Sequence, residues 1–82
     1  KGIEITWMKI SENSALVGMT LAQAAIRSCT GASVVGLIRD NALIANPKSN
    51  TVFLAGDRLG LIGEKQQIEA AKMMVSHEIT LS

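Results

Sequence analysis

The sequence predicts an α+β domain, in which two helices pack on a small, largely antiparallel β-sheet. Three observations lead to this class. Apolar and polar residues alternate over the first ten positions, and aliphatic runs near residues 34–38 and 58–63 are bounded by turn residues. Two other segments, near residues 21–29 and from residue 64 onward, carry helix caps or a helix period. The connections are short, which favours antiparallel neighbours.

The first strand and the first helix are predicted within residues 3–31. The segment IEITWMKI, residues 3–10, has the period of two that is typical of a strand. Thr20 is placed to cap a helix, and Gln23 follows three residues later as in a capping box. Gly31 stands where a left-handed residue commonly ends a helix. The helix should therefore cover about residues 21–29.

Residues 34–47 predict a β-hairpin. The run from residue 34 to residue 38 is almost continuously aliphatic, as in a strand covered on both faces. Asp40 and Asn41 follow it and tolerate the positive φ angles of a tight turn. Pro47 should end the return strand, because proline has no N–H to donate to a ladder.

The remaining residues complete the predicted order of elements. Segments 51–54 and 58–63 are predicted as short strands that pair through a tight turn at residues 55–57. From residue 64 the apolar period becomes that of a helix. One helix face then carries Ile68, Ala71 and Val75. The tail, residues 76–82, has a weak strand pattern or is frayed. Without it, the predicted order is β-α-β-β-β-β-α, and strands could be added at either end.

The composition predicts one domain whose apolar surface is covered by a partner. Of the 82 residues, 48% are hydrophobic, yet there is only one Trp and one Phe, so the core must be aliphatic. Such a surplus in a short chain favours a homodimer formed through an aliphatic face. We expect a single domain over residues 1–82, with its core at about residues 14–75. Because the first residue is not Met, we expect a fragment of a larger protein.

Charge and cysteine content argue against several function classes. Eight basic and seven acidic residues form no basic stripe, and aromatic stacking platforms are lacking, so we expect no nucleic-acid partner. Cys29 is the single cysteine, which excludes an intramolecular disulfide and fits a reducing compartment. With His77 as the single histidine, we expect no metal site. No run approaches the roughly 20 apolar residues of a membrane span.

Catalysis is not expected, because each candidate has a stronger structural interpretation. Gly60 and Gly63 lie before a helix start but lack a phosphate-loop pattern, and strand geometry explains them. Cys29 needs a base beside it to act as a nucleophile, and a free cysteine is usually a small buried hydrophobe. Asp57 follows a glycine, where aspartate commonly stabilises a turn with its own carboxylate. The sequence therefore predicts a protein that is not an enzyme.

Three basic residues raise the question of an anionic ligand. Arg39 ends an aliphatic strand and Lys48 follows Pro47, so a hairpin can bring these two cations near each other. Two cations beside an apolar strand suit an anion with an apolar body, such as a nucleotide. The alternative, favoured on spacing alone, is that Arg39, Lys48 and Arg58 are ordinary solubilising charges.

The order of these features resembles the C-terminal domain of RCK proteins, also called the TrkA-C domain. The resemblance runs from Ser14 to Met74 and rests on glycine, proline and aliphatic positions at matching spacings. The matching pieces are Leu16-x-Gly18-x-x-Leu21, Gly31, Val34-Val35-Gly36-Leu37-Ile38-Arg39, Ile44-x-x-Pro47 and Thr51-x-x-Leu54-x-Gly56-Asp57-x-Leu59-x-Leu61-x-Gly63.

The resemblance implies a regulatory function. Domains of this family are α+β, commonly dimerise, and regulate cation channels, transporters and antiporters from the cytoplasmic face of the membrane. Some members bind cyclic di-AMP at the dimer interface as a regulatory nucleotide, and no other cofactor is implied. By resemblance the ligand residues are Val34, Val35, Arg39, Asn46 and Pro47. The membrane transport domain of a parent protein, for potassium or for cation/proton antiport, is then the implied partner.

Two other functions stay open on the sequence. One is an ACT-like amino-acid-sensing domain of a metabolic enzyme, which has a similar count of helices and strands. The predicted hairpin at Gly56 and Asp57 separates the two, because a simple split β-α-β repeat lacks it. The other is a dimerisation module that binds no ligand.

Overall fold

The predicted α+β class is confirmed by the computed structural model, which describes residues 2–79. Its elements are β1 (Ile3–Lys9), α1 (Leu21–Ala24), α2 (Ile26–Thr30), β2 (Ser33–Arg39), β3 (Ala42–Ala45), β4 (Arg58–Glu64) and α3 (Lys65–Ser76). The strand predicted in the tail survives only as a single bridge between Ser14 and Glu78, and residues 80–82 lie outside the described part.

The four strands form one antiparallel sheet in the order β1-β4-β2-β3. The predicted β2–β3 hairpin is confirmed, and Asp40 and Asn41 turn it with φ angles of 53° and 65°. Strand β4 enters between β1 and β2, so both of its edges are hydrogen-bonded. A register shift between Val34 and Gly36 marks a bulge in β2.

The core lies between one face of the sheet and the helices, and we call this the inner face. Leu37, Leu59 and Leu61 alternate toward it and are fully buried. Helix α3 buries the predicted face, Ile68, Ala71 and Val75, against these strands. Glu64 caps α3, with Gln67 completing a capping box. The core is aliphatic except for Phe53.

The single helix predicted over residues 21–29 is wrong in one respect, because it breaks at Ala25. The predicted Thr20–Gln23 capping box is confirmed, and so is the left-handed Gly31, with φ of 84°. Ala25 also adopts a left-handed conformation, with φ of 52°, which separates α1 from α2. Positions two apart point to different sides of a helix. The break allows both Ala24 and Ile26 to be buried.

The strand predicted over residues 51–54 is also wrong, and no hairpin forms at Gly56 and Asp57. This segment runs beside residues 18–20, where the backbone N–H of Phe53 donates to Met19 at 2.9 Å. Phe53 is fully buried, and neighbouring strands already occupy both edges of β4. The observed order is therefore β-α-α-β-β-β-α.

The opposite face of the sheet, which we call the outer face, has no helix over it among the described residues. Its large exposed side chains are Ile3, Ile5, Trp7 and Leu43, of which Ile3 and Ile5 are 64% and 63% exposed. The Trp7 ring lies across Gly60 and Gly36 on the two neighbouring strands, where an added Cβ would fall 2.8 and 3.1 Å from the ring. The two glycines, which have no side chains, thus leave room for the indole ring to pack against the strands.

We predict that Gly60→Ala lowers the free energy of unfolding by about 1–2 kcal/mol, because the new methyl group displaces the indole. Alanine is intrinsically better than glycine inside a strand, so a loss points to the Trp7 contact. Urea denaturation gives the stability, and emission of the single tryptophan reports ring displacement. Gly2→Ala is the control, since nothing lies within 4 Å of that site. Unchanged stability and emission in Gly60→Ala would contradict the packing described.

Candidate functional site

A buried ion pair joins the end of β2 to the start of β4. The Nε and Nη2 atoms of Arg39 donate to the two carboxylate oxygens of Asp57 at 2.8 and 2.7 Å. Nη2 also donates to the carbonyl of Val52, and the Leu54 backbone N–H donates to Asp57, each at 2.8 Å. Asp57 therefore acts as the predicted turn former, and it also holds the Arg39 guanidinium.

The environment of the pair favours the ionised carboxylate. Burial of Asp57 by itself raises its pKa, but hydrogen bonds from Arg39 and from the Leu54 N–H outweigh burial and leave the pKa below its ordinary value. The hydrogen bond to Asp57 likewise raises the pKa of Arg39. Both groups stay charged at neutral pH, and three N–H groups of the guanidinium are engaged within the protein.

Four of the five predicted ligand residues come together, and Arg39 is apart from them. Val34 and Val35 are half-buried at the start of β2. The Asn46 backbone N–H donates to the carbonyl of Val35 at 3.0 Å, and the buried Pro47 follows it. Arg39 lies five residues further along β2, about 17 Å away for an extended strand. We call Val34, Val35, Asn46 and Pro47 the valine–proline cluster.

The hairpin places the backbones of Arg39 and Lys48 at opposite ends of β3, so the strand pairing does not itself bring the two cations together. Arg39 pairs with Ala42 beside the turn, whereas Lys48 follows the far end of β3. Arg58 lies on the outer face directly opposite Lys9 of β1 and is exposed. Lys48 and Arg58 are thus surface charges, as the favoured alternative held, but Arg39 is part of a buried pair.

A depression of about 330 Å³ lies beside Val34, between the helices α1 and α2 and the start of β2. Its lining combines the apolar residues Leu21, Ala25 and Val34 with the polar residues Arg27, Ser28 and Ser33. The left-handed break at Ala25 and the small alanine side chains leave this space unfilled. The volume is at the lower end of the roughly 300–1,000 Å³ of small-molecule sites.

The residues weighed for catalysis lie apart from one another. Cys29 is exposed on α2, so the prediction that it is a buried small hydrophobe is wrong. His77 is exposed at the end of α3. Gly60 lies under Trp7, and a Cβ at Gly63 would fall 2.9 Å from the Gln67 side chain, so packing accounts for both glycines. Within residues 2–79, no three acidic, histidine or cysteine side chains come together as a metal site.

The features that sequence reasoning missed are the ion pair and the depression. One feature of the sequence indicates the ion pair. Asp57 precedes a strand that must shield its carboxylate from water, and a buried charge needs a partner of opposite charge. No such feature indicates the depression, because it depends on the backbone of Ala25, which no residue preference at that position indicates.

The chain belongs to the TrkA-C domain family, whose model matches residues 5–76. It is therefore a C-terminal domain of the RCK regulatory class, and the predicted resemblance is confirmed. The ACT-like alternative is not favoured by this match. The hairpin at Gly56 and Asp57, which was predicted to separate the two families, does not form.

Three relatives illustrate the similarity. The ammonium/proton antiporter subunit AmhM of Alkalihalophilus pseudofirmus is 25% identical over 69 residues, which are 84% of this chain and 41% of that protein. The dimer of the RCK C-terminal domain of BusR from S. agalactiae, in complex with c-di-AMP, has a TM-score of 0.80 at 21% identity, covering 87% of this chain and 93% of that one. The RCK domain of GsuK is 27% identical, with a TM-score of 0.75, over 93% of this chain and 17% of that one.

The coverage of each match shows which part of the relative this chain corresponds to. This chain spans less than half of the antiporter subunit, so most of that protein lies outside the alignment. BusR has also been solved with its promoter DNA, and there the match covers 38% of the BusR chain. Within the described residues, no helix is long and apolar enough to cross a membrane.

We predict that Arg39→Met lowers the free energy of unfolding by about 2–4 kcal/mol, because it leaves the Asp57 carboxylate buried without its cation. The expected loss of stability is smaller than that for a fully buried ion pair, since the Arg39 side chain is 29% exposed. Arg58→Met is the matched control, an exposed arginine whose loss should change stability by less than about 0.5 kcal/mol. Urea denaturation at pH 7 measures both, and equal losses would contradict a special contribution of the pair.

The pair also predicts a pH dependence. A carboxylate whose pKa is lowered by folding stabilises the protein above its unfolded-state pKa, about 3.9, and this stabilisation is lost as the pH falls through the folded-state pKa. The stability difference between the wild type and Asp57→Asn should therefore be largest above about pH 5 and shrink toward pH 3. Urea midpoints across this range measure it. A difference independent of pH would mean that the carboxylate charge contributes nothing.

Proposed function

We propose that this chain is a dimerising regulatory domain that acts at the cytoplasmic face of the membrane on a cation transport system, either for potassium or for cation/proton antiport. Family membership and the similarity to an antiporter subunit and to the GsuK channel regulator support this assignment. We further propose that the chain is one domain of a longer protein and that it performs no catalysis itself.

The observation that carries the proposal is the uncovered outer face. Ile3, Ile5 and Trp7 are exposed on the edge strand β1, and Leu43 is exposed on the opposite edge strand β3. The Trp7 ring bridges the two strands between them, because it lies over Gly60 and reaches Gly36, where Leu43 also lies. Contiguous exposed apolar surface on a small domain marks an interaction site. A second copy of the chain is the proposed occupant, since the RCK C-terminal domain of BusR, similar over most of both chains, is a dimer.

The charges at the two ends of the outer face favour a second copy as well. Lys9 and Arg58 lie opposite each other at one end of the β1–β4 pair, and Glu64 lies at the other end. These ends are six residues apart, about 20 Å along a strand. Two copies stacked face to face with opposite strand directions place the cationic end of one over the Glu64 end of the other, where the Glu64 side chain also caps α3.

The proposed ligand is a small anion with a flat apolar body, of which cyclic di-AMP is the leading example. BusR and the KtrA RCK C domain have been solved with c-di-AMP, the latter at 24% identity and a TM-score of 0.75 over 82% of this chain and 76% of that one. We propose that the valine–proline cluster contacts the ligand. Arg39 lies on the same strand as the two valines, β2. Its Nη1 atom has two N–H groups that the ion pair does not use.

Regulation would proceed by linkage between the ligand and the dimer. The bulge at Val34 and Val35 is next in the chain to Gly36, and Gly36 underlies the Trp7 ring on the outer face. A ligand that prefers one arrangement of this bulge shifts the dimer equilibrium by its differential affinity and no more. The attached transport domain would respond to that shift.

The dimer surface predicts that Ile5→Glu prevents self-association, because a charge at an apolar interface loses its hydration without gaining a partner. Sedimentation equilibrium should show a dimer for the wild type and at least a tenfold weaker association for the variant. Met73→Glu is the matched control, since Met73 is 73% exposed on α3 and should leave the dimer intact. Monomeric wild type at high micromolar concentration, or an equally strong Ile5→Glu dimer, would contradict the outer-face dimer.

The ligand class predicts the result of a thermal-shift screen of cyclic dinucleotides against amino acids. Cyclic di-AMP at a hundred times its Kd should stabilise the wild type by about 2.7 kcal/mol. Asn46→Gly, which still accommodates the left-handed backbone at that exposed position (φ 49°), should reduce that shift. Stabilisation by an amino acid alone would contradict the proposal, and stabilisation by neither class would favour a ligand-free dimerisation module.

A further inference from the structure

We propose that Arg27 is a specificity-determining residue that binds the anionic group of the ligand from the depression beside Val34. This inference rests on the proposed function, because it assigns a further residue to the same ligand. It starts from the finding that the cation expected to bind the anion, Arg39, is held by Asp57 and by the Val52 carbonyl.

The position of Arg27 meets the first requirement, which is access to the same ligand. Arg27 and Val34 line one depression, so a molecule in contact with Val34 is within reach of a flexible arginine side chain. The Arg27 backbone carbonyl accepts from the Gly31 N–H at 2.8 Å, which anchors its backbone within the last turn of α2. The exposed side chain thus extends from a backbone that is held in place.

The charge of Arg27 meets the second requirement. Among residues 2–79 the exposed Arg27 side chain has no salt-bridge partner, and a guanidinium carries five N–H donors. Arginine binds phosphate by two parallel hydrogen bonds, which gives both affinity and geometric selectivity. Ser28 and Ser33 add hydroxyl donors to the lining of the depression.

The apolar part of the lining meets the third requirement, which is a surface for the body of the ligand. Leu21, Ala25 and Val34 line it, and alanine leaves room for a flat ring. A lining that combines apolar side chains with a cation and two hydroxyls suits a nucleotide better than an inorganic anion or an apolar molecule alone.

The test is calorimetric titration of the 82-residue chain with cyclic di-AMP. Arg27→Gln should weaken binding about tenfold, and Arg27→Lys should recover part of that loss because it keeps the charge but not the bidentate geometry. The thermal midpoint of the free protein should stay unchanged in both variants, which separates a binding contribution from a structural one. Lys72→Gln on α3 is the control for loss of one exposed positive charge and should bind like the wild type.

The outcomes separate this inference from the proposed function. Wild-type affinity in Arg27→Gln would overturn the assignment of Arg27 while leaving the regulatory ligand intact. Equal weakening in Arg27→Gln and Lys72→Gln would overturn it too, since net charge would then explain the effect. A wild-type chain that binds no cyclic di-AMP would overturn both the ligand and the assignment.

Discussion

The ion pair between Arg39 and Asp57 is the constraint on which the arrangement of the sheet depends. It fixes the end of β2 against the start of β4, and through the Val52 carbonyl and the Leu54 N–H it also fixes the segment between β3 and β4. That segment delivers Phe53 to the core. Because a buried carboxylate without its cation is costly, alternative positions of this segment are disfavoured. One electrostatic contact thus sets the geometry of three parts of the chain.

The two faces of the sheet have different roles. The inner face is filled by aliphatic side chains and α3, so it is committed to stability. The outer face keeps its apolar residues uncovered, and Gly36 and Gly60 permit Trp7 to lie flat across the strands. Strand β2 belongs to both faces and begins in the valine–proline cluster. A ligand at that cluster therefore acts on the strand that also supports the proposed dimer surface, which is the physical basis for coupling between them.

Local patterns predicted most of the elements, and tertiary contacts decided the rest. The caps at Thr20 and Gly31, the turn at Asp40 and Asn41, and the face of α3 follow from short-range rules, and all are confirmed. Residues 51–54 carry a strand composition, but Phe53 is needed in the core and both edges of β4 are taken, so tertiary packing overrides propensity.

The candidate site was harder to predict than the fold for the same reason. Resemblance to a family gave five residues, and the structure brings four of them together, while the position of Arg39 depends on a partner 18 residues away in sequence. Cys29 was predicted to be buried because free cysteines usually are. Helix α2 is too short to bury residues on both of its sides, and Cys29 is exposed. The depression beside Val34 depends on a backbone conformation at Ala25 that alanine rarely adopts.

The central claim is that this domain pairs with its own copy through the outer face and that a small anion shifts the pairing. The most direct test is the dimer dissociation constant measured with and without saturating cyclic di-AMP, together with the ligand affinity of monomer and dimer. Linkage requires both constants to change by the same factor, and we expect a change of fivefold or more. A dimer constant unaffected by saturating ligand, or a chain that stays monomeric throughout, would contradict the account.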